Sequence, residues 1–431
     1  MQPKILGNLA IAVLAFTAAS NAQSRKTLYT FRGNPDGATP ESDLVMDAQG
    51  NLYGTTFLGG AGPCDGGWGT VFQLSPDASG GYTERVIHSF QGSLFDGQMP
   101  DAPLIFDAEG NLYGTTLSGG QKVTAAAGTV FKLTPHPSGN WTETVLHNFN
   151  GALDGGKDGG EPQAGLLFDA TGNLYGTTAG GGTGTGCVGG NGCGTVFELS
   201  PTAGGAWRET ILHNFTNDHS DGWIPQSTLI MDAAGNLYGT TYYGGSSPQG
   251  GGTVFRLSQT SNGWQEDILY NFRCAADGCS PYSGVVFDSG GNLYGTTVGG
   301  GGDPGRGVVY KLTPNATGGW TQSVIHTFGK TSSDGIYPYG NPMVDTAGNV
   351  YGTTFYGGGQ SSVCSDGCGT VFKLTPNGDG RYSESILSRF GDGSQGSSPL
   401  TGLLMDSAGN LDGTAAFGGA HGGGVVFEVT F

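Results

Sequence analysis

One segment of the sequence, Asp107-Ala-Glu-Gly-Asn-Leu-Tyr-Gly-Thr-Thr116, recurs in seven nearly identical copies. The copies begin at Asp47, Asp107, Asp169, Asp232, Asp288, Asp345 and Asp406, and therefore lie 56 to 63 residues apart. Units of this length cannot bury a core alone, so they must pack on their neighbours and share one. The repeat predicts one repeat domain, whereas 431 residues would otherwise suggest two or three domains.

Each unit contains four short segments rich in β-forming residues. In the second unit these are 104–106, 112–116, 128–133 and 141–149, separated by turn sequences or by a loop of variable length. No helical periodicity appears in the unit. Four strands in about 60 residues is the size of a propeller blade with long loops. The prediction is an all-β, seven-bladed β-propeller with four antiparallel strands per blade.

The two ends of the predicted ring complement each other. Residues 27–31 match the fourth strand of a unit, whereas 424–429 match a third strand with no fourth strand after it. We therefore expect the N-terminal strand to complete the last blade, which removes the open sheet edges of the ring.

The sequence Gly-Asn-Leu-Tyr-Gly-Thr-Thr followed by Gly-Thr-Val-Phe resembles the tandem repeat of the Gloeobacter–Verrucomicrobia (GloVer) family of secreted bacterial proteins. The resemblance spans the mature chain, but the seventh copy has Asp412 in place of the tyrosine and Ala415 in place of a threonine. It implies secretion and a repeat architecture, and no activity. Family members often carry a C-terminal surface anchor, which is not expected here. The Asp-x-x-Gly-Asn turn has a looser, fold-level likeness to lactonase-like and lyase propellers.

Residues 1–22 have the features of a secretory signal peptide. Lys4 precedes a largely apolar segment at 5–19, and Ser20-Asn21-Ala22 fits a small-x-small cleavage site. The apolar segment is shorter than the roughly 20 residues that span a bilayer. We expect a secreted or periplasmic protein with the ring at 23–431 and no membrane insertion.

The charge balance excludes one class of partner. The chain has 17 basic and 35 acidic residues, a formal net charge of −18, so nucleic acid is not expected as a partner. No cofactor is required by any motif, while calcium remains possible. A monomer is expected.

Seven cysteines suit an oxidising compartment. The spacing pairs Cys187 with Cys193, Cys274 with Cys279, and Cys364 with Cys368 as loop disulfides, and leaves Cys64 over. Four convergent zinc ligands are not apparent.

The repeated polar residues are interpreted as scaffold, and no metal site is predicted. In Asp-x-x-Gly-Asn we expect the aspartate to accept hydrogen bonds from its own turn, while glycine and asparagine adopt or tolerate positive φ. Four histidines occupy equivalent outer strands of different blades, where they should pack or be hydrated without converging on a metal: His88, His147, His213 and His326. The tryptophans that begin fourth strands should pack between blades.

A second motif, Asp-Gly-x-x-Pro, joins each fourth strand to the next unit. It occurs at 36–40, 96–100, 158–162, 221–225, 277–281 and 334–338, and it is replaced by Gln395-Gly-Ser-Ser-Pro399 at the last junction. Turn chemistry explains it, although a ring of six carboxylates could also attract calcium or a cationic ligand.

Aromatic residues depart from the sevenfold symmetry in units four to six. They follow the Gly-Thr-Thr segments or lie in the junctions, on the face predicted for ligand binding. The predicted ligand-binding residues are Trp223, Tyr242, Tyr243, Tyr282, Tyr337, Tyr339, Phe355 and Tyr356.

Catalytic residues cannot be assigned from the sequence. Isolated polar residues in irregular loops are His219, Arg273, Arg306 and His421. No Gly-x-Ser-x-Gly, Walker or His-Glu-x-x-His motif is present. The leading expectation is a non-catalytic module that binds an extracellular glycan or a protein. The alternatives are a polysaccharide lyase or hydrolase acting at the central mouth, and a purely structural surface protein.

Overall fold

A computed structural model describes residues 24–62, 66–92, 96–120, 127–151, 158–187, 191–391 and 393–431. The predicted signal peptide and Cys64 lie outside these residues. The described chain forms seven four-stranded antiparallel sheets, which are the blades of a β-propeller, and this confirms the predicted fold class.

The strands of each blade follow one another from the ring axis outward. Blade 1 contains Val45–Met46, Leu52–Thr56, Thr70–Pro76 and Tyr82–Ser89. Blade 2 contains Ile105–Phe106, Leu112–Thr116, Thr129–Pro135 and Trp141–Asn148. Blade 3 contains Leu167–Phe168, Leu174–Thr178, Thr195–Pro201 and Trp207–Asn214. Blade 4 contains Ile230–Met231, Leu237–Thr241, Thr253–Thr260 and Gly263–Asn271.

The remaining blades repeat this plan. Blade 5 contains Val286–Phe287, Leu293–Thr297, Val308–Pro314 and Trp320–Thr327. Blade 6 contains Met343–Val344, Val350–Thr354, Thr370–Pro376 and Tyr382–Arg389. Blade 7 contains Leu404–Met405, Leu411–Ala415 and Val425–Thr430, with Ser24–Thr30 as its outer strand.

The N-terminal strand closes the ring as predicted. Ser24–Thr30 pairs antiparallel with Val425–Thr430, from Ser24 opposite Thr430 to Thr30 opposite Val425. Every blade therefore has a paired third strand, and no blade is left with three strands.

The Asp-Gly-x-x-Pro junctions and the segments after each second strand lie on one face, here called the junction face. In blade 1, Gly37–Ala38 pairs with Leu58–Gly59, and four further blades contain the same two-stranded pair. A side chain at Gly37 would clash with the Thr56 side chain, because an added Cβ would lie 2.5 Å from Cγ2. The shared face of junctions and loops is thus as predicted.

The Asp-x-x-Gly-Asn turns lie at the other end of the strands and are held by the aspartate. Asp47 Oδ1 accepts hydrogen bonds from the N–H groups of Gln49 and Asn51, and Oδ2 accepts from Asn51 Nδ2 and the Tyr53 hydroxyl. Gly50 has φ 81°, which requires glycine or a strained residue. The asparagine of the turn is not at positive φ, and its side chain instead donates a hydrogen bond to the aspartate.

The hydrophobic core is divided into seven clusters, each of which spans adjacent blades. Tyr53 of blade 1, for example, packs on Trp141 of blade 2 with ring centroids 6.2 Å apart. This confirms that the tryptophans of the outer strands pack between blades. Because each blade completes its neighbour's core, the ring is expected to be stable only as a whole.

Buried threonines connect the blades near the axis. The first threonine of Gly-Thr-Thr donates to a backbone oxygen of the following blade, as Thr240 does to Ser283 at 2.8 Å and Thr353 to Thr401 at 2.6 Å. Equivalent hydrogen bonds occur at all seven interfaces.

Three disulfides confirm the predicted pairs: Cys187–Cys193, Cys274–Cys279 and Cys364–Cys368. They indicate folding in an oxidising compartment outside the cytoplasm. Among the described residues, no helix has the length and apolar character needed to cross a membrane.

Candidate active site

The residues that follow the junction prolines line a cavity of about 70 Å³ at the ring axis, here called the mouth. All seven blades contribute to the mouth, which identifies it as the point where the innermost strands converge. The residues one position after each proline form an upper ring: Glu41, Asp101, Gln163, Gln226, Tyr282, Tyr339 and Leu400. Chemically different groups therefore occupy equivalent positions.

The upper ring is divided into an acidic, an amide and an aromatic sector. Glu41 and Asp101 come from the neighbouring blades 1 and 2. Gln226 Nε2 donates to Gln163 Oε1, which joins the next two blades. Tyr282 and Tyr339 pack edge to face with ring centroids 5.1 Å apart. A ligand at the mouth would thus meet carboxyl groups on one side and aromatic rings on the other.

The pKa values of both carboxyl groups of the acidic sector are raised. Burial raises the pKa of Glu41 to about 7. Burial and the charge of Glu41 together hold the pKa of Asp101 well above its usual range. Asp101 Oδ1 is also shielded from solvent and has no hydrogen-bond partner among the described residues. The pair can hold a proton near neutral pH, as an acid–base catalyst requires.

The pKa of a tyrosine in the aromatic sector is raised as well. Burial raises the pKa of the Tyr282 phenol, and the charges of Asp101 and Glu41 raise it further. The phenol therefore stays protonated and can donate a hydrogen bond towards the acidic sector.

A second ring of residues lies two positions deeper and forms a floor beneath the mouth. Large and small residues alternate around most of this ring: Pro103, Gly165, Thr228, Gly284, Asn341, Gly402 and Asp43. The glycines leave room for their neighbours; a Cβ on Gly402 would lie 2.9 Å from Asp43 Oδ2. Asn341 Nδ2 donates to Asp43 Oδ2 at 3.0 Å, and the Gly402 N–H donates to Asp43 Oδ1 at 2.6 Å. Burial raises the pKa of Asp43, while these two hydrogen bonds oppose the rise.

All eight aromatic residues predicted for ligand binding form one continuous chain of ring contacts. Successive centroids are 4.8, 4.5, 6.2, 5.1, 5.5, 4.5 and 6.3 Å apart. The order is Trp223, Tyr243, Tyr242, Tyr282, Tyr339, Phe355, Tyr356 and Tyr337. This aromatic chain crosses blades 4 to 6 on the junction face and enters the mouth at Tyr282 and Tyr339.

The aromatic chain combines buried and exposed rings. Trp223 is 8 % exposed and stacks on Tyr243, which is 39 % exposed, and Tyr356 is 36 % exposed. Tyr337 has φ 59°, and the residue before the proline has φ of 57–59° at all seven junctions. This positive φ is strained for residues other than glycine, and it is typical of backbone held for a function or a fixed turn.

The isolated polar residues considered for catalysis do not meet at the mouth. His219, Arg273 and His421 are exposed, Arg306 is half-buried, and none of them lines the mouth. The acidic pair was missed because Glu41 and Asp101 lie 60 residues apart in sequence. Reading the residue after each junction proline down the seven repeats would have revealed it.

The junction aspartates do not form one ring of carboxylates, and four of the six belong to separate clusters at the outer wall. At four interfaces the outer-strand histidine contacts the junction aspartate and a glutamate from the next blade's outer strand. These outer clusters are His88–Asp96–Glu143, His147–Asp158–Glu209, His213–Asp221–Glu266 and His326–Asp334–Glu384. In each, the three possible ligand atoms lie within 4.8 Å of one another.

The sequence interpretation of the histidines was thus incomplete. The four rings do lie in different blades, but each meets two carboxyl groups instead of packing alone. Burial and the charge of Asp158 raise the pKa of Glu209 to about 9, while the hydrogen bond from His147 lowers the pKa of Asp158. Each outer cluster therefore offers groups that could hold a metal ion.

Several solved structures are similar to the ring. A Pseudomonas aeruginosa periplasmic gluconolactonase has 16% sequence identity and a TM-score of 0.47, over 81% of this chain and 86% of that one. A luciferin-regenerating enzyme has 12% identity and a TM-score of 0.43 over 95% of each chain. A fungal alcohol oxidase in complex with copper has 15% identity and a TM-score of 0.54, over 95% of this chain and 76% of that one. At these identities the likeness concerns the fold.

The expectation of a non-catalytic ring is wrong. The solved structures named above are propeller enzymes but share only the fold with this chain, so the finding that counts against a non-catalytic ring is the pair of buried carboxyl groups at the mouth. A mouth lined only by glycine, threonine and aliphatic groups would have excluded catalysis, but Glu41, Asp101 and Tyr282 line it instead.

No curated protein sequence matches the chain. The model of the Gloeobacter/Verrucomicrobia repeat matches residues 11–251, 156–365 and 246–431, and these overlapping matches cover nearly the whole sequence. The chain therefore belongs to the Gloeobacter/Verrucomicrobia repeat family.

Proposed function

We propose that the protein is a secreted glycoside hydrolase that cleaves a neutral poly- or oligosaccharide at the mouth. The observation that carries this proposal is the position of Glu41 and Asp101 beside Tyr282 and Tyr339, where the aromatic chain enters the mouth. Glycoside hydrolysis uses two carboxyl groups flanking the scissile bond. Aromatic rings provide flat, partly apolar surfaces on which sugar rings stack.

The two carboxyl groups have different roles in this proposal. Asp101 is the more strongly shifted acid and donates its proton to the glycosidic oxygen as the C1–O bond breaks. Glu41, with a pKa of about 7, is the group that ionises. As a base it takes a proton from the water whose oxygen forms the new bond to C1, while the leaving group departs with the proton from Asp101. The phenol of Tyr282 donates a hydrogen bond to the substrate or to the ionised carboxylate.

A hydrolase is favoured over a lyase by the charge of the mouth. A lyase that acts on a uronic acid requires a cation to neutralise the substrate carboxylate. The described residues that line the mouth include no arginine or lysine, whereas three are carboxylic acids: Glu41, Asp43 and Asp101. A uronate would therefore be repelled, and a neutral sugar would not. We propose that the protein reaches this substrate by export, for which the sequence at 1–22 predicts a signal peptide.

The test compares Asp101→Asn and Glu41→Gln on a neutral polysaccharide and on an aryl glycoside with an acidic phenol as leaving group. If Asp101 is the general acid, Asp101→Asn should lower the rate of polysaccharide cleavage by about 10²–10⁴-fold. The rate on the aryl glycoside should fall much less, because its acidic phenol can leave without being protonated. Glu41→Gln should lose activity on both substrates.

The matched controls are Asp379→Asn and Glu109→Gln, which change exposed turn residues away from the mouth. They should keep wild-type rates. New reducing ends should appear without the ultraviolet absorbance of an unsaturated uronate. Equal losses on both substrates for Asp101→Asn, or unchanged activity in both mouth variants, would refute the assigned roles.

A further inference from the structure

We infer that the four outer clusters are zinc sites that join neighbouring blades: His88–Asp96–Glu143, His147–Asp158–Glu209, His213–Asp221–Glu266 and His326–Asp334–Glu384. They lie at the outer wall of the ring, away from the mouth, and this inference does not depend on the proposed hydrolase activity. Three features of the clusters support zinc binding: the distances within them, shielded atoms without hydrogen-bond partners, and the replacement of the histidine at the other three interfaces.

The distances within the clusters match those between zinc ligands. Histidine Nε2 lies 3.2–3.7 Å from the aspartate oxygen and 3.5–3.8 Å from the glutamate oxygen. Zinc bonds of about 2.0–2.2 Å place tetrahedral ligands roughly 3.3–3.6 Å apart. The distances from the histidine to both carboxylates are thus close to tetrahedral values before any ion binds, and the two carboxylate oxygens lie within 4.8 Å of each other. The fourth ligand position is left for water.

The ligand set is one that zinc accepts. Zinc binds imidazole nitrogen and carboxylate oxygen, and three protein ligands plus water form a common site. Each imidazole is also held in place by the phenylalanine two residues further on. The two rings pack edge to face with centroids 4.6–4.7 Å apart in all four clusters.

Polar atoms in the cluster between blades 5 and 6 are shielded from solvent and unpaired, which favours cation binding there. The Asp334 side chain is only 5 % exposed, and its Oδ1 lies 3.7 Å from His326 Nε2. Neither atom has a hydrogen-bond partner among the described residues, and the same is true of Glu384 Oε1. Leaving such groups unpaired costs free energy, which a bound cation would recover.

An open cavity of about 440 Å³ gives access to this cluster, because His326, Asp334 and Glu384 all line it. Lys330 lies at its edge and donates to the Gly301 oxygen at 3.4 Å. Zinc can therefore reach the cluster from solvent.

The other three interfaces lack the histidine and change their partners with it. The hydroxyl groups of Tyr29 and Tyr270 donate hydrogen bonds to Asp36 Oδ2 and Asp277 Oδ2, each at 2.9 Å. At the interface between blades 4 and 5 the glutamate is also replaced, because Gln322 occupies its position and donates to the Asp277 backbone oxygen. At these two interfaces a direct hydrogen bond takes the place that we assign to zinc.

The interface between blades 6 and 7 replaces all three groups. Ser388 occupies the histidine position, Gln395 the aspartate position and Arg25 the glutamate position. The guanidinium donates to Ser388 Oγ at 3.3 Å and to Gln395 Oε1 at 3.1 Å. A protein cation thus lies where zinc lies in the four outer clusters.

The test measures zinc bound to the untagged protein by equilibrium dialysis after treatment with a chelator. The wild type should bind close to four zinc ions, one for each outer cluster. Glu143→Gln, Glu209→Gln and Glu266→Gln should each lose one ion. Glutamine is tolerated at this position because Gln322 occupies it naturally. Glu84→Gln, at the Tyr29 interface, is the matched control and should lose none.

A gain of function provides a second, independent test. Tyr29→His would complete His–Asp–Glu with Asp36 and Glu84, and should add one zinc ion to the wild-type number. Cobalt in place of zinc should give the visible absorbance of a tetrahedral ion, reduced stepwise by the Glu→Gln substitutions. The inference is overturned if the wild type binds no zinc, or if the three Glu→Gln variants retain the wild-type number.

Discussion

Asn341 donates a hydrogen bond from Nδ2 to Asp43 Oδ2 across the ring axis, at 3.0 Å and over a separation of 298 residues. The same asparagine accepts from the Gly284 N–H at 2.8 Å. Blades 1, 5 and 6 are therefore joined directly beneath the mouth. This contact makes the floor a structural support for the acidic pair above it.

Removal of the Asn341 amide should destabilise the ring. Asn341→Ala removes the partner of Asp43 Oδ2 and of the Gly284 N–H, while the Gly402 N–H still donates to Asp43 Oδ1. We expect the free energy of unfolding to fall by about 2–4 kcal/mol, because groups cut off from water then lose their hydrogen bonds. Urea denaturation followed by tryptophan fluorescence measures the change. Asn262→Ala, in an exposed turn, should stay within about 0.5 kcal/mol of wild type; an equal loss there would contradict the argument.

The blade number and the ring closure could be predicted because they depend on features repeated in sequence. Seven turns beginning at Asp47 gave the blades, and the unpaired strands at 27–31 and 424–429 gave the closure. The grouping of the eight aromatic residues on one face could be predicted because these residues depart from the repeat. These are local signals, and they need no knowledge of which residues meet in space.

The acidic pair and the outer clusters could not be predicted because their members come from different repeats. Glu41 and Asp101 occupy positions that vary between blades, so they form no motif. His88 and Glu143 lie on neighbouring outer strands, and their contact depends on how two blades pack. The histidines occupy equivalent positions in the repeat, but each contacts a glutamate that belongs to the next unit.

Asp412 should make stability depend on pH. In the other six blades a tyrosine at this position donates to the turn aspartate, whereas Asp412 is 2 % exposed and its Oδ1 has no partner among the described residues. Burial and the charges of Glu428 and Asp406 raise the pKa of Asp412 to about 7. The folded state thus binds more protons than the unfolded state between about pH 4 and pH 7, so stability falls as the pH rises through this range.

The measurement for this residue is the melting temperature of wild type and Asp412→Asn at about pH 5 and about pH 8. Asp412→Asn should melt higher than wild type at the higher pH, since it removes the cost of ionising a buried carboxyl. The difference should shrink at the lower pH, where Asp412 is largely protonated. Asp379→Asn, in an exposed turn, should show no such dependence. A pH-independent difference for Asp412→Asn would show that ionisation is not the cause.

The aromatic chain should contribute to saccharide binding at a distance from the mouth. Tyr356→Ala removes an exposed ring that contacts Phe355 and Tyr337. We expect affinity for a long neutral oligosaccharide to fall about 5–30-fold, which corresponds to about 1–2 kcal/mol. Isothermal titration calorimetry with Glu41→Gln protein, which should not cleave the ligand, measures it. Phe417→Ala is the control, because Phe417 is 45 % exposed in blade 7 and outside the aromatic chain; an equal loss there would refute a specific role for the chain.

Arg25 should stabilise the closure of the ring. Its guanidinium lies 4.0 Å from the Phe390 ring centroid and donates to the backbone oxygen of Arg389 at 3.0 Å, so it fastens the N-terminal strand to blade 6. Arg25→Ala removes the cation–π contact and the hydrogen bonds together, and should lower the free energy of unfolding by about 1–2 kcal/mol. Proteolysis should then cut the N-terminal strand faster under native conditions, because closure depends on that strand alone.

The control is Lys26→Ala, which changes the adjacent residue, whose exposed Nζ donates to the Gly80 oxygen. It should change the free energy of unfolding by no more than about 0.5 kcal/mol and leave the cleavage rate unchanged. If both variants were cut at the wild-type rate, the closure would be held by strand pairing without help from Arg25.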